Sequence, residues 1–239
     1  MRDQLPAAVS TIVFDVGNTL HHLDHAFIAA NVTRHSHAVT ARDVALAEYA
    51  AKAGVDADFR TRVAGVDATR RFSYFETLLA ALDVRREAFE AIGAALKAED
   101  QRASLWRVME PDTPAVIATL RQRGYQLAVV SNADGRVAGS LATSGLAKHF
   151  TTIVDSHVVG VEKPDARIFA IALQACGAAP AQAIYVGDIY EIDIRGARNA
   201  GMTGVLLDPL GGYPGDLDCP RIRSLGALLD LLASSPAHP

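Results

Sequence analysis

The sequence predicts an α/β protein: a doubly wound, mostly parallel sheet with an all-helical domain inserted after its first strand. Three observations carry this. A short β-branched and aromatic run at residues 11–15 breaks into a polar turn at Gly17 and Asn18. Residues 26–107 repeat apolar side chains at helical spacing with no strand signal, and from residue 126 onward strand-like and helix-like segments alternate. The 239 residues suffice for one large domain or a core with a smaller insert, and with 50% hydrophobic and 21% charged residues the chain can bury a sizeable core.

The first run, TIVFD, reads as a buried strand opening into a loop at its carboxyl end. In the helical stretch Phe72, Phe75, Leu78, Leu79 and Leu82 recur at three- and four-residue spacing, as do Phe89, Ile92 and Leu96, with Gly54 and Gly65 as punctuation. By this periodicity Phe72 and Tyr74 are core aromatics, and Arg70 and Arg71 lie on an exposed face. Asp112, Thr113 and Pro114 open the next helix, Val116, Ile117 and Leu120 form its apolar face, and Gly124 ends it. Strands are then expected at 126–131, 151–154, 183–186 and 203–207. Helices are expected up to Ser144, from Pro164 to Cys176, at 193–200 and at 225–232. The Gly/Pro-rich segment 208–220 reads as a surface loop, and the expected division is a core of residues 1–21 and 111–239 with a helical domain of residues 22–110.

Charge and cysteine usage exclude some functions. There are 23 Lys+Arg against 27 Asp+Glu, a formal charge of -4 with no long run of either sign, which argues against a dedicated binder of nucleic acid or anionic membranes. Residues 1–11 lack the basic flank and apolar core of a signal peptide, so a cytoplasmic location is expected. Cys176 and Cys219 are too few for a disulfide framework and are expected as reduced thiols. The most apolar long stretch, 168–187, is interrupted by Gln174, Pro180 and Gln182, against a membrane span.

In an open parallel sheet, reactive groups gather at the carboxyl ends of the strands. Those ends hold Asp15, Ser131 with Asn132, and Gly187 with Asp188; Lys163 and Pro164 lie in a later loop and Asp193 at the start of a helix. Asp15 and Asp188 brought together make an oxygen-rich site suited to Mg²⁺. Thr19 and Ser131 offer hydroxyls to a phosphoryl oxygen, and Lys163 offsets developing negative charge. A single Asp at a strand end is ordinarily a turn or helix cap. Its ordered recurrence with the other polar groups points to phosphoryl transfer.

The segments FDVGNTL (14–20), VVSNADG (129–135), EKPDARIF (162–169) and YVGDIYEID (185–193) resemble the haloacid dehalogenase-like hydrolase superfamily, in particular its members with a helical cap inserted after the first motif. The resemblance implies a Rossmann-like core and a Mg²⁺-dependent phosphatase for a small soluble phosphorylated metabolite. Asp15 is then the nucleophile that forms an aspartyl-phosphate, and Asp15, Asp188 and the backbone carbonyl of Gly17 hold Mg²⁺. Thr19, Ser131 and the amide of Asn132 hold the phosphoryl oxygens. Lys163 neutralises the charge shared by Asp15 and the phosphate, and Asp193 orients Lys163 or a metal-bound water.

One position departs from the family pattern. Phosphatases of the family carry a second Asp two residues after the nucleophile as general acid and base, and this chain has Gly17. Loss of such a group costs about 10²- to 10⁴-fold in rate. The departure leaves open a slow phosphatase, one in which His21 or His22 supplies the proton instead of being a solvated hinge residue, a metal-independent 2-haloacid dehalogenase-like hydrolase, or a non-catalytic binding protein on the same fold.

Overall fold

The computed structural model describes residues 5, 6, 8–61 and 67–234, without the side chains of 67–72, so Gly65 and the side chains of Arg70, Arg71 and Phe72 lie outside the described residues. The chain divides into two compact units. One comprises Met1–His21, Met109–Gly211 and Asp216–Pro239, the other His22–Val108 and Gly212–Gly215.

In chain order the elements are β1 (Thr11–Phe14), β2 (His22–Leu23), α1 (His25–His35), α2 (Ala41–Arg60), α3 (Asp67–Ala81), α4 (Arg86–Arg102), β3 (Trp106–Val108), α5 (Thr113–Gln122), β4 (Gln126–Ser131) and α6 (Val137–Thr143). There follow β5 (Thr152–Asp155), α7 (Ser156–Val159), α8 (Ala166–Cys176), β6 (Ala183–Gly187), a π-helical turn (Tyr190–Ile194), α9 (Arg195–Asn199), β7 (Thr203–Leu207), β8 (Arg221–Ile222) and α10 (Leu225–Ala233). Among the described residues the first unit holds a six-stranded sheet in the order β5-β4-β1-β6-β7-β8, and every pairing is parallel.

β1 and β6 are buried along their whole length, as strands covered on both faces must be. Alternate residues feed two cores. Ile12, Phe14, Leu127, Val129, Ile184 and Val186 pack with Ile117 and Leu120 of α5 and Leu228 of α10. Val13, Ala128, Val130 and Tyr185 pack with Phe169, Ala172 and Leu173 of α8. The chain runs from β1 to β4 and β5 on one side, then crosses to β6, β7 and β8 on the other. The order therefore switches at β1, which is where such sheets open a crevice at their carboxyl ends.

In the second unit, Thr40 caps α2 by a reciprocal box, accepting from the Asp43 amide at 3.2 Å while its own amide donates to the Asp43 carboxylate at 2.7 Å. Val44, Ala47, Ala51 and Val55 then face inward at helical spacing. Tyr74 is buried, and its hydroxyl donates to Glu48. The sequence leads to an all-helical insert, but β2 and β3 form a short antiparallel ribbon in this unit. Strands of two and three residues carry no readable period.

The segment 208–220 is not simply a surface loop. Asp208, Tyr213 and Cys219 are buried, and the Tyr213 hydroxyl donates to Asp56 Oδ2 of α2 at 2.6 Å. Both cysteines are free thiols. Among the described residues no helix is long and apolar enough to cross a membrane.

Candidate active site

The site grows from the loop after β1. The Asp15 amide donates to the Val186 carbonyl at 2.9 Å, continuing the ladder to β6. The Val16 carbonyl then accepts from the amides of Thr19, Leu20 and His21, and the Asn18 amide returns to the His21 carbonyl at 2.7 Å. Asn18 takes a left-handed backbone at φ 53, which asparagine tolerates. This winding buries Thr19 completely, and its Oγ1 has no hydrogen-bond partner among the described residues. A hydroxyl so placed has capacity for a ligand oxygen.

At the end of β4, Ser131 is buried and Asn132 ties down the loop that carries Lys163. Its Oδ1 accepts from the Lys163 amide at 2.7 Å, and its Nδ2 donates to the Lys163 carbonyl at 3.0 Å. The carboxamide of Asn132 is therefore committed to the chain, and the backbone N–H is the amide of that residue suited to a phosphoryl oxygen.

Lys163 is only 2% exposed, and its ammonium is fully partnered. Nζ donates to Asp15 Oδ1 at 2.8 Å, Asp193 Oδ1 at 2.7 Å and the Tyr185 hydroxyl at 2.7 Å. Burial alone would lower the pKa of Lys163, but the carboxylates of Asp15 and Asp193 outweigh it and hold the group charged. Burial raises the pKa of Asp15; Lys163 opposes the rise and Asp193 adds to it, and the net direction is upward. Two carboxylates and one ammonium leave this cluster an excess of negative charge that a cation would relieve.

Asp193, the first residue of the helix expected at 193–200, lies in the π-helical turn, and regular helix starts only at Arg195. Its Oδ2 accepts from the amides of Asp188 at 3.0 Å and Ile189 at 2.9 Å, which shapes the loop holding Asp188. The turn requires glycine at 187, since a Cβ there would lie 2.5 Å from Asp193 Cγ. Gly187→Ala is accordingly expected to destabilise the protein by about 1–3 kcal/mol, the usual scale of overpacking. Thermal unfolding checks it, and an unchanged Tm would contradict the close approach.

Carboxylate oxygens of Asp15, Asp188 and Asp193 lie within 4.8 Å of one another, all three residues buried. An all-oxygen set of this kind suits a hard cation such as Mg²⁺. The two histidines after the first motif separate. His21 is buried in the first unit, its backbone bridges Gly17, and its Nδ1 lies 3.1 Å from Ser140 Oγ on α6. His22 belongs to β2, and burial, with Lys52 and His25 outweighing Glu48, pushes its pKa down to about 4. At neutral pH His22 is an uncharged imidazole and has no imidazolium proton to give.

The residue that sequence reasoning overlooked is Tyr185. Its hydroxyl accepts from Lys163 and donates to the Val130 carbonyl at 2.7 Å. The signal was present: a tyrosine in a strand buried on both faces must find a partner for its hydroxyl.

A family model for haloacid dehalogenase-like hydrolase matches residues 9–201, which span this whole constellation. The chain belongs to the haloacid dehalogenase-like hydrolases. Among relatives of this hydrolase, the mouse haloacid dehalogenase-like hydrolase domain-containing protein 3 is 40% identical over 140 residues, covering 55% of each chain. The phosphoserine phosphatase of Thermus thermophilus is 39% identical over 132 residues, covering 52% of this chain and 53% of that one. The hydrolase thus spans about half the length of the curated relatives it matches. A Bacillus subtilis hydrolase of this type shares its fold, with a TM-score of 0.67 at 19% identity over 94% of this chain and 99% of that one.

Proposed function

We propose that this chain is a Mg²⁺-dependent phosphatase for a small soluble phosphate ester, working through an aspartyl-phosphate on Asp15 in a reducing compartment such as the cytoplasm. The observation that carries the proposal is the Lys163 ammonium bridging Asp15 and Asp193, with Asp188 alongside, where β1 and β6 end. Phosphatases among its relatives support a phosphate ester over a haloacid as substrate. The helical unit would serve as the cap.

Asp15, Asp188 and the Gly17 carbonyl would hold Mg²⁺. When bound, the ion supplies Lewis-acid polarisation of the phosphoryl group and offsets its charge. An Asp15 carboxylate oxygen attacks phosphorus, a P–O bond forms to Asp15, and the bond to the leaving alkoxide breaks. Thr19, Ser131 and the Asn132 backbone amide donate to the phosphoryl oxygens, and Lys163 stays against Asp15 as charge moves onto them. Gly17 has no proton to give, so the alkoxide is protonated from solvent. Water then attacks the phosphorus of phospho-Asp15, the bond from phosphorus to Asp15 breaks, inorganic phosphate leaves and the water's proton passes to solvent. With no base at this position, this breakdown is the slow step for esters with good leaving groups.

A screen of phosphate esters and 2-haloacids, with and without Mg²⁺, tests this. Phosphate release only with Mg²⁺ is expected; halide release that persists in EDTA would overturn it in favour of a dehalogenase. Lys163→Met is expected to lower kcat/KM by about 10²- to 10³-fold, the scale for a lost electrostatic stabiliser. It is also expected to destabilise the metal-free protein by about 3–5 kcal/mol, because it strands buried carboxylates. A wild-type rate in this variant would remove Lys163 from the reaction.

A further inference from the structure

Resting on the phosphatase reading, we infer that Tyr185 is a positioning residue that sets the direction of the Lys163 ammonium toward Asp15 by a hydrogen-bond chain anchored on the Val130 carbonyl. An ammonium on a four-carbon stem is a mobile point charge, and its usefulness depends on where it is held. The backbone of Lys163 is clamped by Asn132. Its head is clamped from three sides, and two of the clamps are carboxylates that attract it from any direction. The third is directional. An ammonium has no acceptor, so the Tyr185 hydroxyl must accept from Lys163 and turn its own proton elsewhere. That proton goes to the Val130 carbonyl at 2.7 Å.

Both ends of the chain are rigid. The Tyr185 ring stands on β6 and packs T-shaped against Phe169 with centroids 5.1 Å apart, and Val130 is the residue before Ser131 on β4. The hydroxyl thereby ties the ammonium at the end of β1 to the strand that presents the candidate phosphate-binding hydroxyl. Burial first, and then the surrounding carboxylates, keep this phenol far above its ordinary pKa, so the proton stays on it.

Tyr185→Phe keeps the ring and its packing and removes only the hydroxyl, whose neighbours are Lys163, the Val130 carbonyl and Asp193. The charge of Lys163 remains in the site, so attraction for the phosphate ester persists. What is lost is alignment, which the transition state feels most. The expected result is a fall in kcat of about 10- to 100-fold, the scale of a hydrogen bond to a charged group, with KM changed by less than about two-fold. In a Lys163→Met background the same change should have no further effect on kcat/KM.

A second readout needs no turnover. In the metal-free protein the Tm losses of Tyr185→Phe and Lys163→Met should fail to add by about 2–4 °C or more. Should Lys163→Met not fold, the Tm cycle is run on Asp15→Asn, where one buried carboxylate fewer is stranded, and the kcat and KM of Tyr185→Phe alone carry the activity arm. A wild-type kcat in Tyr185→Phe, equal losses in both backgrounds, or additive Tm shifts would overturn the inference. If the wild type cleaves no phosphate ester, the phosphatase reading fails by itself, and the Tm cycle still decides whether Tyr185 and Lys163 are coupled.

Discussion

Asp15→Asn is expected to abolish phosphate release while leaving the protein folded. The carboxamide has the shape of the carboxylate, and Lys163 retains Asp193 and Tyr185 as partners. A buried neutral group also carries less desolvation cost than the charged one. What disappears is the attacking oxygen anion together with one charge of the candidate metal site. Removal of a covalent nucleophile has cost about 10⁶-fold in kcat in a serine protease, and a loss of that scale is expected here. Steady-state turnover of an aryl phosphate, with circular dichroism as the control for folding, measures it. A folded Asp15→Asn protein with substantial activity would mean that the phosphoryl group never resides on this residue.

The second large effect is a gain. Gly17→Asp restores a carboxyl group two residues after the nucleophile. Gly17 is not among the glycines with a left-handed backbone, so its conformation does not demand glycine. The substitution leaves the Gly17-position carbonyl in place for the cation. Hydrolysis of alkyl phosphates, whose leaving groups need a proton, is expected to rise by up to about 10²- to 10⁴-fold. Aryl phosphates, which leave without one, should gain less in the first step. A variant that folds and binds Mg²⁺ yet shows no gain would place the limiting step elsewhere, with His21 beside Gly17 as the group to test next.

Much of the site is legible in the sequence because the strands that carry it are central and short. TIVF, QLAVVS and AIYVG are nearly unbroken apolar runs, which is what strands covered on both faces require, and Asp15, Ser131 and Asp188 stand at or just after their ends. The parts that were not legible depend on partners distant in sequence. Tyr185 meets Lys163 across 22 positions and Val130 across 55, and no local pattern announces such contacts. The carboxamide of Asn132 clamps the backbone of Lys163 through a loop 31 residues away, a role beside its backbone amide that no local pattern shows. The β2 and β3 ribbon was missed because its strands are too short to show alternation, and Tyr213 because its Gly/Pro-rich surroundings hid one buried aromatic.

The covalent intermediate itself is the most direct test. Because Gly17 leaves water without a base, phospho-Asp15 should accumulate during turnover, giving a burst followed by a slow steady state. The wild-type chain, mixed with Mg²⁺ and an excess of aryl phosphate and quenched in acid, would be digested and mapped by mass spectrometry. One phosphoryl group on the peptide containing Asp15, at an amplitude matching the burst and absent from Asp15→Asn, is the predicted result. Phosphate release at full rate with no phosphoryl group on that peptide, or with the group on another residue, would contradict it.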